Sequence, residues 1–203
     1  SWFGSLVWSI ITTLSSFHST VLMEGLVSDS IINEKNPSLY LKWTTNLIEI
    51  KNTVIRGDSA IVGGGIYVIN SDNVLIEGSI LEKNDVNDGS IEEINISGYG
   101  GALHVKNSTI TISNSEFIKN SGSGDGNLGA AIHGENSQIF MDGSKINENR
   151  NEGTSSRGAG IYLVGGSSPS VIINSEIRGN EAKRGAAIYL DQNDLKLERM
   201  IIS

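Results

Sequence analysis

The chain has no cysteine and only 2 prolines, and aromatic residues make up 6% of its 203 positions. Without thiols there is no disulfide framework, no zinc-finger type of metal site and no papain-like nucleophile, and the redox compartment cannot be read. Positive charge is also scarce, with 15 Lys and Arg against 23 Asp and Glu, for a net charge of −8. A chain so charged repels phosphate backbones and anionic membrane surfaces, so no nucleic-acid partner is expected. No continuous apolar run approaches the roughly 18 residues a membrane helix needs. Residues 1 to 23 lack Asp, Glu, Lys and Arg, but Ser5, Ser9, Thr12, Thr13, Ser15 and Ser16 interrupt them and no basic segment precedes them. They read as strands rather than as a signal or spanning segment, and no membrane insertion of this stretch is expected. Because residue 1 is Ser, the chain is expected to be processed or excised from something longer.

What is present is glycine, at 24 residues, together with Ile, Val, Asn and Ser. β-Branched residues alternating with turn formers point to many short strands. A small-small-aliphatic-ring motif recurs at Gly63–Tyr67, Gly100–His104, Gly129–His133, Gly158–Tyr162 and Gly185–Tyr189, with starts 37, 29, 29 and 27 residues apart. A second motif places a large apolar residue three before an Asn: Leu81 and Asn84, Phe117 and Asn120, Ile146 and Asn149, Ile177 and Asn180, with Ile55 and Asp58 as a weaker copy. Ser or Thr stands two before each apolar residue, at Thr53, Ser79, Ser115, Ser144 and Ser175.

Measured separately, the two motifs resolve the irregular period. The first Gly and the Asn lie 21, 20, 20 and 22 steps apart, whereas the Asn or Asp and the next Gly lie 5, 16, 9, 9 and 5 steps apart. A fixed unit joined by one variable connection is what a solenoid requires, since stacked turns must match while an outward loop can grow. Within the fixed unit Leu103 and Val105, then Ile110 and Ile112, then Phe117 alternate with polar residues. Period two means strands with one face in and one out. Three short strands per rung, with bends at Lys106–Ser108 and near Asn114, give an all-β fold, a parallel β-helix or β-solenoid. An earlier rung is traced through Leu39, Leu41, Ile48, Ile50 and Ile55, so residues 36–203 are assigned to the repeats and 1–35 to one more rung or a cap. At the other end Leu195 and Leu197 begin a rung that stops at Ser203, and a continuing chain or a partner is expected to cover it. About seven rungs at roughly 4.8 Å each give a rod about 35 Å long.

Asn84, Asn120, Asn149 and Asn180 are read as a structural ladder, each amide bonding to the turns above and below. Tyr40, Tyr67, His104, His133, Tyr162 and Tyr189 each follow an inward aliphatic residue and should form one outward column of rings. Such a column can stack on itself, or offer a strip on which sugar rings or a partner surface pack. His104 and His133 without a neighbouring carboxylate make an incomplete metal site, and neither a metal nor a cofactor is expected.

Chemical motifs mostly fail. Gly124–Gly129 matches G-x-G-x-x-G but opens no helix. Asp85–Gly89 looks like the start of a calcium loop, yet its Gly comes one position early and Ile96 stands where Glu is needed. Asn95-Ile96-Ser97 and Asn107-Ser108-Thr109 are candidate N-glycosylation acceptors. Glu77, Glu116, Asp142 and Glu176 are the recurrent acids, and Lys145 stands between Glu116 and Glu176 in the repeat, as in a solvated charge ladder.

At Gly100–Leu103 and Phe117–Asn120 the chain resembles the repeats of chlamydial polymorphic outer membrane proteins, and more broadly the right-handed β-helix of pectate-lyase-like surface proteins. The resemblance spans residues 36–203. It implies a right-handed coil and a cell-surface, adhesive passenger whose partners are proteins or glycans. The departures are Gly-Ala in place of several Gly doublets, Ile in place of most Phe, and no membrane-barrel segment within these residues. Two functions are therefore weighed: a noncatalytic extracellular rod displaying loops along one edge, and a polysaccharide lyase or hydrolase with clustered outer carboxylates.

Overall fold

The computed structural model describes residues 20–22, 25–28, 31–32, 39–42, 47–87, 89–91, 94–96 and 98–203. Among them there is no helix. Three seven-stranded sheets run the length of the molecule, and every pairing within them is parallel. The chain visits the sheets in turn: Leu103–Lys106 in the first, Thr109–Ser113 in the second and Glu116–Ile118 in the third, before returning to the first at Ile132–Glu135. The result is a parallel β-solenoid of about five turns. Strands at Thr20–Leu22, Gly25–Ser28 and Ile31–Ile32 pair with the corresponding strands of the next turn; a cap within residues 1–19 lies outside the described residues.

Register turns the sequence periodicity into vertical files. Ile66, Leu103, Ile132 and Ile161 stack in the first sheet, Ile76, Ile112, Met141 and Ile172 in the second, and Ile55, Leu81, Phe117, Ile146 and Ile177 in the third. All are at most 1% exposed, so one continuous apolar core fills the coil. In the last turn the core positions Leu190, Leu197 and Ile202 are between 40% and 47% exposed, and Ile201, in register with the outward Glu176, is 50% exposed.

Each strand ends at a sharp corner whose first residue has positive φ: Asn70, Asn107 and Asn136 after the first sheet, Asn52, Asn114 and Asn174 after the second, Lys83, Lys119 and Glu148 after the third. Asn tolerates this left-handed region better than most residues, which explains its abundance. The residue that follows points inward and bonds to the next turn. Ser79, Ser115 and Ser144 each donate their N–H to the hydroxyl oxygen of the next Ser at 3.1 Å, and each hydroxyl donates to the carbonyl two residues back. Gly101 sits where a Cβ would lie 2.2 Å from the Ala130 carbonyl oxygen, so the doublet is small because adjacent turns touch there.

Two features were not read from the sequence. A fourth, four-stranded sheet of two-residue strands follows the Asn corner at Ser59–Ala60, Asp85–Val86, Ser121–Gly122 and Arg150–Asn151. In addition, length variation is not confined to one connection. By register, the corner between first and second sheets comprises residues 70–73, 107–109, 136–138 and 165–169 in successive turns. These differences account for the 21, 20, 20 and 22 steps of the fixed unit.

Candidate functional site

The edge between the third and first sheets carries the variable loops. After the short fourth strand, each loop returns through an isolated parallel bridge that links Val62, Tyr99, Leu128, Arg157 and Arg184 in one file. Each of these residues lies five before a ring of the column. The longest loop carries an antiparallel hairpin, Gly89–Ile91 with Ile94–Ile96, in which Asn95 is placed opposite Ser90. Ion pairs link the loops between turns, as between Arg150 and Glu181 at 3.4 Å, and Asp125 accepts both the N–H and the hydroxyl of Thr154 at 3.2 Å.

Register aligns Tyr40, Tyr67, His104, His133, Tyr162 and Tyr189 one above another. The side chain of Tyr40 lies outside the described residues. Tyr67 meets His104 edge-on at 4.9 Å between centroids, and from His104 upward the rings stack at 4.6, 5.2 and 5.4 Å. These distances match the strand spacing, so the stack follows from the sheet itself.

The column faces away from the core and stacks on itself, but it is not an open strip. His104, His133 and Tyr162 are only 2 to 3% exposed. Tyr99 packs over both imidazoles, at 5.9 and 5.0 Å, and the Arg157 guanidinium lies 5.4 Å from the Tyr189 ring. The rings point away from the apolar core but are roofed by the bridge file. Among the rings whose side chains are described, only Tyr67 and Tyr189 remain half-buried and partly reachable. Sequence reasoning missed the roof because its residues share no side-chain chemistry, although their constant five-residue offset was a usable signal.

Burial governs the chemistry of the two imidazoles. Desolvation, then the neighbouring Lys106, pushes His133 down to about 3. Desolvation, His133 and Lys106 hold His104 well below the ordinary histidine value. Both are therefore neutral at physiological pH. Their Nδ1 atoms are 3.0 Å apart, so one ring donates Nδ1–H to the lone pair of the other and the two hold different tautomers. Burial also raises Tyr162, against the opposing effect of Arg157, and its hydroxyl donates to Asp191 at 3.4 Å. No group of three or more His, Asp or Glu among the described residues could hold a metal ion.

The asparagines lie inside the corner after the third sheet. Asn84 Nδ2 donates to Asn120 Oδ1 at 3.0 Å, Asn120 to Asn149 at 2.9 Å, and Asn149 to Asn180 at 2.9 Å. Each Nδ2 also donates to a main-chain carbonyl of the turn below, as Asn120 does to Leu81 at 2.9 Å. Each Oδ1 also accepts the main-chain N–H of the preceding Asn, or of Asp58 at the first position. Asn120 and Asn149 thus use both lone pairs and both protons between turns and have nothing left for a ligand, while the end members Asn84 and Asn180 make one bond fewer.

The recurrent acids are spread over the outer faces and engaged locally. Glu116 pairs with Lys145 at 2.9 Å, Glu176 with Arg178 at 3.2 Å, and Glu77 with Lys51 at 3.5 Å, while Asp142 accepts from Asn174 at 2.7 Å. Asn107 is exposed at its corner and donates to Asn70 Oδ1 at 3.1 Å. The chain matches no protein-family model and no curated protein.

Proposed function

We propose that the protein is a noncatalytic rod of an extracellular or cell-surface molecule, which displays variable loops along the edge between its third and first sheets. The observation that carries this reading is the division of labour within each turn. Core files, Ser and Asn ladders and small doublets stay in register, while loop length, the hairpin at 89–96 and the inter-loop ion pairs vary at one edge. In this reading the coil is right-handed with seven rungs: each of the three long sheets has seven strands, and parallel strands joined by crossovers are overwhelmingly right-handed. Its partners are surface proteins or glycans. Asn95 in the hairpin is the proposed glycan acceptor, while the Asn107 side-chain amide already donates to Asn70 Oδ1.

The polysaccharide-enzyme reading has less support, since Glu116 and Glu176 are paired with Lys145 and Arg178 at the surface. Incubation of the purified chain with acidic and neutral polysaccharides, in parallel with binding to intact cells, tests the choice. Saturable cell binding that is reduced by shortening residues 89–96, with no product release, is expected. Turnover that disappears in Glu116→Gln or Glu176→Gln would replace the rod with an enzyme.

A further inference from the structure

The corner between the first and second sheets is short in two successive turns and longer in the turns on either side, residues 107–109 and 136–138 being flanked by 70–73 and 165–169. A saddle results: a groove of about 300 Å³, with Asp72 on one rim and Gly166, Ser167 and Ser168 on the other. Its floor is formed by the corner residues and the first outward positions of the second sheet, Thr109 and Gln138. Gln138 Nε2 donates to the Pro169 carbonyl at 2.9 Å and ties the floor to the higher rim.

The lining is chemically uniform. It consists of hydroxyls, amides and main chain with one carboxylate, and among the described residues no lysine or arginine lines it. An anion would meet Asp72 without a counter-charge. Asp72, Thr109, Ser167 and Ser168 make no side-chain hydrogen bond among the described residues, so a ligand could engage them without breaking an existing bond. One step further along the outer face of the second sheet, roughly 7 Å from Gln138, stands Phe140. Its ring is 37% exposed, and register places Thr111 and Val171 beside it. A cleft of neutral donors and acceptors opening onto an exposed aromatic ring has the two-sided character of a sugar, with hydroxyls at its edge and C–H groups on its face.

The geometry points to a binding site for a neutral oligosaccharide in this groove, with Gln138, Thr109 and the Ser167–Ser168 rim taking hydroxyls and Phe140 stacking on a pyranose face. This deepens the surface-display reading and rests on it, but moves the sugar platform from the roofed ring column to the corner groove. Three or so turns at roughly 4.8 Å per turn give a cleft long enough for two or three sugar units.

The test uses the whole 203-residue chain, produced in bacteria so that Asn107 carries no glycan, titrated with cellohexaose, laminarihexaose, mannohexaose, chitohexaose and hexagalacturonate by calorimetry and by amide chemical shifts. At least one neutral hexamer is expected to bind and to shift amides at 107–109, 136–138 and 166–168, with hexagalacturonate weaker. Phe140→Ala and Gln138→Ala should each weaken binding about tenfold. Both positions face outward, so unchanged thermal midpoints would exclude loss of fold. Ser168→Ala is a second, milder variant, and Tyr189→Ala at the ring column should leave affinity unchanged. Neutral-sugar binding that is insensitive to Phe140 and Gln138, or weakened by Tyr189→Ala, would overturn the groove assignment while leaving surface display intact. Silence toward all neutral hexamers alongside retained cell binding would overturn the sugar and not the rod. Silence toward hexamers and cells alike would defeat both.

Discussion

Acidification from pH 7.5 to 5 should cost the fold about 2 kcal/mol through His133 alone, with His104 acting in the same direction. In the unfolded chain a histidine protonates near pH 6.5. In the fold His133 does so only at about 3, and His104 is likewise held well below its ordinary value, in both cases chiefly by burial. A lowered value means that the unfolded chain binds more protons between the two pKa values. Stability from this source is thus fully present above about 6.5 and falls as pH drops towards about 3. For a folded value of about 3, linkage gives about 2 kcal/mol for His133 at pH 5, and the lowered His104 adds to it. For a chain of this size, about 2 kcal/mol lowers the midpoint of thermal unfolding by roughly 4 to 8 °C. Urea or thermal unfolding followed by circular dichroism at half-unit pH steps measures it. The control is the double variant His104→Phe, His133→Phe, which removes both partners of the Nδ1 contact together and leaves neither orphaned. Its stability should be nearly flat between pH 7.5 and 5.5, above the carboxylate range. A wild-type profile already flat there, or a slope that survives in the double variant, would refute the assignment.

Three further outcomes follow from the packing. Tyr99→Ala lifts the roof from both imidazoles, so histidine titration by NMR should move towards the ordinary value, and no movement would mean that Tyr99 does not shield them. Asn120→Ala deprives Asn84 of an acceptor and the Leu81 carbonyl of a donor, and should cost about 3 kcal/mol or more in urea unfolding; a loss below about 1 kcal/mol would contradict a saturated ladder. Gly101→Ala drives a methyl against the carbonyl oxygens of Ala130 and Ser121, at 2.2 and 2.6 Å, and should cost about 3 kcal/mol or prevent folding, whereas Ala159→Gly, at a position already occupied by a methyl, should cost about 1 kcal/mol.

The parallel solenoid was legible because its constraints repeat in residue identity. Only small residues fit where Gly101 faces Ala130, only an amide both donates and accepts along the file of Asn120, and only an apolar residue fills the file of Phe117. What escaped notice repeats in position but not in chemistry. The roof file runs Val62, Tyr99, Leu128, Arg157, Arg184, since a main-chain bridge sets its place and any long side chain can cover a ring. The two-residue strands of the fourth sheet are equally varied, from Ser59–Ala60 to Arg150–Asn151, because so short a strand has no alternation to display. The groove was hidden in differences of one or two residues within a unit that looked constant. Those differences are negligible against loops of 16 steps, yet large enough to raise a rim above a floor two residues shorter.

The ladders that join one coil to the next also decide how the molecule would respond to force. Inter-strand bonds lie across the strands and therefore along the long axis. A pull applied to the two chain ends would load them one turn at a time rather than all together. With 26 to 36 residues between equivalent positions, each coil that peels away would release about 90 to 120 Å of slack, and the force trace should be a train of small steps whose lengths follow the loops. Attached at a surface by its ends, such a body would stretch and shorten like a tape paid out from a reel.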